Sequence, residues 1–224
     1  MRLYILCEGQ TEDRFIKEIL SPYLQNSNIF ATPIICETKR TLGKKYKGGV
    51  GKYSKIRSEL EILCKGDPTA FVTTMFDYYG LPSDTPGRST TGDIYKIAQE
   101  IEAAVKNNLG GLRNLAVNLI LHEFEGLLFS DVSAFYGVAK ADNSAIMELK
   151  RIKSAFSSPE HINDSEATSP SKRILRILPE YSKTLNGIEI AKKIGVDGIR
   201  EQCPHFKAWI ENIKILAEAL HTDE

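Results

Sequence analysis

"LYILCEGQTEDRF", residues 3–15, opens as the apolar run of a buried strand, meets Glu8 and Gly9, and then takes up a helical pattern at once. A carboxylate at the mouth of such a run loses hydration, and an unpaired charge there is costly. A helix N-terminus, a basic side chain or a metal ion has to compensate for it. In the helical part, Thr11 is placed to cap, Glu12 and Asp13 fall in the first turn, where the helix dipole favours acid, and Phe15, Ile19 and Tyr23 recur at helical spacing.

The alternation that begins here continues. Short apolar runs predict strands at 2–7, 32–37, 70–76 and 116–122, and helical periodicity predicts helices at 11–25, 54–65 and 93–107. This βαβαβαβ order implies an α/β fold with a four-stranded, mostly parallel sheet flanked by helices. Beyond about residue 140 the strand signal stops, and helices are expected at 144–156, 171–178, 187–194 and 205–220. In the last of these, Phe206, Trp209, Ile210, Ile213, Ala217 and Leu220 form the apolar face. The expected division is an α/β domain over 1–138 and a C-terminal α-helical lobe over 139–224, packed on it.

In an open parallel sheet, ligands sit beyond the carboxyl ends of the strands. Three of the four predicted strands end in acid: the first at Glu8, the third ("AFVTTMFDYYG") at Asp77, and the fourth ("VNLILHEFEG") at Glu123, with Glu125 two residues on. Carboxylates brought together this way repel one another until protons or a cation relieve them. Oxygen donors of this kind suit a hard divalent ion, Mg²⁺ or Mn²⁺. The alternative is that these acids cap helices or pair with Lys and Arg.

With those residues in view, "CEGQTED" after the first strand and Asp77 after the third resemble a TOPRIM domain, the metal-dependent module of topoisomerases, primases and OLD-type nucleases. Through "FDYYGLPSDTPG", "HEFEGLLFSD", "SPSKRI" and "CPHFKAWI", nearly the whole chain is similar to a little-studied bacterial family of TOPRIM-like proteins. The resemblance implies a TOPRIM-like sheet, with Glu8 as general acid or base and Asp77 as a Mg²⁺ ligand. It also implies a partner ATPase in bacterial defence against phage. TOPRIM domains usually carry Asp-x-Asp at the third strand, whereas Tyr78 and Tyr79 follow Asp77 here. Glu123, Glu125 or Asp84 then has to substitute.

Two stretches carry candidate contacts to DNA or RNA. "GKKYKGGVGKY", residues 43–53, is basic and glycine-rich with interspersed Tyr, which suits a phosphate backbone and stacking bases, and Lys52 lies within it. It is not a P-loop, since Tyr46 and Tyr53 stand where Gly and Ser or Thr are needed. In "SPSKRI", Lys172 and Arg173 at a helix start join backbone N–H groups as an anion site. A solvated loop and a plainly capped helix are the alternatives. His122 beside Glu123 lacks the second His of a zinc motif, and a hydrogen-bonded structural role is expected for it.

Composition sets outer limits. The 224 residues carry 29 Lys plus Arg against 29 Asp plus Glu, so an anionic partner has to be bound by a local patch. The four cysteines are widely spaced without a CxxC pair, which predicts reduced, packed thiols. No long apolar run or leader pattern occurs, so no membrane association and a cytoplasmic location are expected. Two function classes follow: a Mg²⁺-dependent nuclease or related phosphoryl-transfer enzyme, and a non-catalytic module that binds nucleic acid or an ATPase partner.

Overall fold

The computed structural model describes residues 1–36, 51–88, 92–163 and 168–222, with side chains of the last helix to 218. Its sheet is built from β1 (Arg2–Cys7), β2 (Phe30–Ile35), β3 (Phe71–Asp77) and two short strands, β4 (Leu115–Ala116) and β5 (Leu119–Ile120). The order is β2-β1-β3-β4, β5 also pairs with β3, and every pairing is parallel. The predicted fourth strand is thus split. The cause is Thr74, whose hydroxyl donates to Asn118 O at 2.6 Å and accepts from Asn118 N at 2.9 Å, replacing the backbone ladder between β4 and β5.

Side-chain alternation sorts the strands onto two cores. Leu3, Ile5 and Cys7 of β1 and Met75 of β3 pack with Phe15, Ile188, Ile199, Phe206 and Trp209. Tyr4 and Leu6 of β1, with Val72 and Phe76 of β3, meet Ile56, Leu60, Ile97 and Ile101 on the other face. Each fully buried Leu, Ile or Phe contributes about 1.5–3 kcal/mol. The second face is covered by α3 (Tyr53–Gly66) and α4 (Ile94–Asn108). The first is covered by α1 (Gln10–Phe15), which runs through a π-helical segment (Ile16–Leu20) into α2 (Ser21–Gln25), and by the C-terminal helices. Gly9, not Thr11, holds the N-cap position of α1, and Thr11 is buried inside the helix.

After β5 come α5 (Glu125–Leu128), α6 (Asn143–Ser154), α7 (Pro170–Ile177), a π-helical turn (Lys183–Gly187) leading into α8 (Ile188–Gln202), and α9 (Pro204–Thr222). The last helix buries Phe206, Trp209, Ile210, Ile213 and Ala217, and Trp209 Nε1 donates to Thr73 Oγ1 of β3 at 2.9 Å. The side chain of Leu220 lies outside the described residues. One apolar core runs unbroken from β1 and α1 into α8 and α9, so the helical region closes the first face of the sheet. Among the described residues, no helix is long and apolar enough to cross a membrane.

Candidate functional site

Asp77 is the last residue of β3, and alternation from Thr73 and Met75 turns its side chain to the face covered by the C-terminal helices. There its Oδ1 accepts from Phe124 N at 2.9 Å and its Oδ2 from Lys183 Nζ at 3.0 Å. Lys183 Nζ also stands 3.5 Å from Glu12 Oε1 and 3.4 Å from Glu125 Oε2. The three carboxylates are almost fully buried, while the Lys183 side chain is 34% exposed. Asp77 and Glu125 therefore meet beyond the sheet as the strand ends predict, but around an ammonium.

Glu8 lies next to this cluster. Its carboxylate is laid over Gly80: a Cβ built there would stand 2.0 Å from Glu8 Oε2. Glu8 Oε2 is buried without a hydrogen-bond partner. Burial first, and the charge of Glu12 second, raise the Glu8 pKa, with Lys183 acting against them. Asp77 is raised well above the usual carboxyl range by burial and by the charges of Glu12, Glu8 and Glu125, again opposed by Lys183. Glu125 is raised by burial and by Glu123. For Lys183, burial favours the neutral amine, but Asp77, Glu125 and Glu12 together outweigh it and hold the ammonium well above the ordinary lysine value.

The other acids go elsewhere. Glu123 turns to α7, where its Oε2 accepts from Ser171 N at 3.0 Å. That backbone donor at the start of α7, expected to serve an outside anion, is thus taken by an acid of the same chain. Arg173 donates to Thr168 O at 2.6 Å and lies over the Phe156 ring. Lys172 follows Ser171 in the same first turn. Asp84 accepts from Tyr53 N at 3.0 Å and caps α3. Lys52 is exposed just before α3, and residues 43–50 of the basic stretch lie outside the described residues.

His122 lacks, at Nδ1, the hydrogen bond expected of it. It sits at φ 61°, past the end of β5, so strand alternation no longer governs it. Its Nδ1 is buried with no hydrogen-bond partner, and burial, reinforced by His161, lowers its pKa to about 4. The ring is therefore neutral near pH 7. All four cysteines are free and buried, and burial raises Cys36 and Cys64 to about 11 and Cys7 and Cys203 further, so none is an activated nucleophile.

Two members of the cluster escaped the sequence reading. Glu12 was legible as a first-turn acid but carried no sign that it would face inward. Lys183 lies 106 positions from Asp77 in a stretch without a motif.

Among the described residues, no three His, Cys, Asp or Glu side chains are placed to hold a metal ion together. Mg²⁺, however, usually takes one or two carboxylates and completes its shell with water and substrate phosphate. The donors here fit in kind: hard carboxylate oxygens, an unpartnered one on Glu8, and four acids against one ammonium.

In overall structure the chain is similar to the C-terminal region of the OLD protein of Xanthomonas campestris pv. campestris, with a TM-score of 0.46 and 13% identity over 98% of this chain and 97% of that one. No curated protein sequence matches it. The pattern of the family described as "Domain of unknown function (DUF4276)" matches residues 7–214, so the chain belongs to that family.

Proposed function

We propose that this protein is a divalent-cation-dependent phosphoryl-transfer enzyme, a nuclease that cleaves phosphodiester bonds in DNA or RNA. The observation that carries this reading is the convergence of Glu12, Asp77 and Glu125 on Lys183 at the carboxyl edge of a parallel sheet, with the partnerless carboxylate oxygen of Glu8 beside them. The TOPRIM resemblance of "CEGQTED" and Asp77 points the same way.

In this reading Asp77 and Glu125 hold Mg²⁺ or Mn²⁺, with water and substrate phosphate completing the shell, and Glu8 stands beside them. A bound divalent cation would neutralise charge on the phosphoryl oxygens and acidify an attacking water. Glu8 moves the proton. Lys183 keeps a fixed positive charge where negative charge develops in the transition state. Glu123 orients the start of α7, and Lys172, Arg173 and Lys52 are the cations offered to the strand's phosphates. Cooperation with a partner ATPase in a bacterial defence setting belongs to the same proposal and rests on the resemblance alone.

A second reading has its own observation. Lys183 already pairs with three carboxylates, which suits a structural ion cluster in a non-catalytic module that binds nucleic acid or an ATPase partner. Cleavage assays on single-stranded DNA, duplex and RNA with Mg²⁺ or Mn²⁺ separate the two, run with and without an ATPase. The enzyme reading expects cleavage that Glu8→Gln lowers by roughly 10²–10⁴, the usual share of general acid–base catalysis. No cleavage of any substrate, with binding intact, leaves the module.

A further inference from the structure

The short 3-10 turn after β3 (Tyr78–Gly80) has two sides. On one, Gly80 supports the Glu8 carboxylate. On the other, Tyr78 and Tyr79 line an open cavity of about 430 Å³, together with Arg88, His122, His161 and Asn163. That volume lies within the range of about 300–1,000 Å³ that small-molecule sites occupy. Nothing in the proposed phosphoryl-transfer chemistry uses it.

Its walls are flat and π-rich. The Tyr79 and His122 rings lie 5.5 Å apart with planes at 39°, and Tyr78 is 6.4 Å from His122, edge to face. The Arg88 guanidinium lies 5.2 Å over the Tyr78 ring and is held by Tyr78 O and Leu81 O. His161 is braced by Ser157 Oγ at 3.0 Å and by the Tyr95 ring. Asn163 Nδ2 donates to Tyr79 OH and so sets the Tyr79 ring in place. Two polar atoms of lining residues, His122 Nδ1 and Asn163 Oδ1, are buried without a hydrogen-bond partner, an arrangement that costs stability until a partner supplies the bond.

We propose that this cavity is a nucleobase pocket, in which one base of a single-stranded nucleic acid leaves its stack and lies against Tyr79 while its phosphate reaches the acid cluster across the turn. A planar aromatic ring matches the aromatic walls, and two of the side chains that line them, His122 and Asn163, each carry a polar atom without a partner. Aromatic stacking of unpaired bases is the common means of holding single strands. Tyr78 and Tyr79 directly follow Asp77, and His122 lies two residues before Phe124, whose N–H donates to Asp77, so the two sites share their backbone. That the ligand carries a phosphate rests on the phosphoryl-transfer reading above, whereas recognition of the base does not require cleavage.

The test is an equilibrium titration in EDTA with short single-stranded DNA and RNA, each compared with a base-free strand bearing the same phosphates. Omitting divalent ions keeps the outcome separate from catalysis: a protein that never cleaves can pass, and a nuclease can fail. The base-bearing strands are expected to bind roughly 5- to 150-fold tighter than the base-free ones, the range that stacking of one base supplies. Tyr79→Ala should remove most of that difference. Tyr79→Phe, which keeps the ring and gives up the hydroxyl that Asn163 holds, should retain it, which guards against reading a folding defect as lost recognition. Equal binding of base-bearing and base-free strands, or a difference that survives Tyr79→Ala, overturns the proposal.

Discussion

Lys183 Nζ lies 3.0 Å from Asp77 Oδ2, joining the end of β3 to a π-helical turn 106 positions later. The contact makes the helical region part of the site, because the only ammonium among the buried acids Glu12, Asp77 and Glu125 in the described cluster comes from it.

Replacing Lys183 with Met leaves those acids without their cation. Removing one partner of a buried ion pair costs about 3–5 kcal/mol, and the partial exposure of Lys183 places the loss at the low end of that range. Thermal unfolding in EDTA measures it. Mg²⁺ or Mn²⁺ should then restore more stability to Lys183→Met than it adds to the parent. An equal gain in both proteins counts against divalent binding among these carboxylates.

Divalent cations should also stabilise the parent. At one hundred times the dissociation constant the gain is about 2.7 kcal/mol. Asp77→Asn preserves shape but removes charge, and its melting temperature should no longer respond to Mg²⁺ or Mn²⁺. An undiminished response takes Asp77 out of the ligand set.

Gly80→Ala addresses Glu8 without touching it. The added methyl would meet the Glu8 carboxylate at 2.0 Å and push aside the far end of a flexible side chain, while Gly80 itself has no positive φ to strain. The melting temperature should change little and cleavage should fall toward the level of Glu8→Gln. Normal cleavage in a folded Gly80→Ala protein would show that the position of Glu8 is immaterial.

His122 gives the acid limb of the stability profile. Its folded pKa is lowered by burial from 6.5 to about 4, with His161 adding to the shift and Glu123 opposing it. The unfolded chain therefore binds the proton first, and stability should be lost as pH falls from about 6.5 to about 4, by about 3 kcal/mol in all. Denaturant unfolding across this range should show a shallower loss in His122→Asn, since Asn tolerates the positive φ. An unchanged slope in the variant assigns the acid loss to other groups.

Much of the architecture was written locally. The apolar runs at β1, β2 and β3, the helical spacing of Phe15 and Ile19, and the stripe from Phe206 to Ala217 settle element type and the parallel α/β arrangement, because burial demands one period on a strand and another on a helix. The acids at the strand ends were legible for the same reason, as parallel strands bring their carboxyl ends to one edge. Only the tertiary structure decided what these acids meet. Lys183 reaches Asp77 through the packing of distant helices on one face of the sheet. Glu123 goes to Ser171 N, Asp84 caps α3, and Thr74 breaks the fourth strand, all through contacts between residues far apart in sequence. Periodicity encodes which face a side chain takes, but the partner across that face is set by how whole elements dock, and no single stretch of the chain records it.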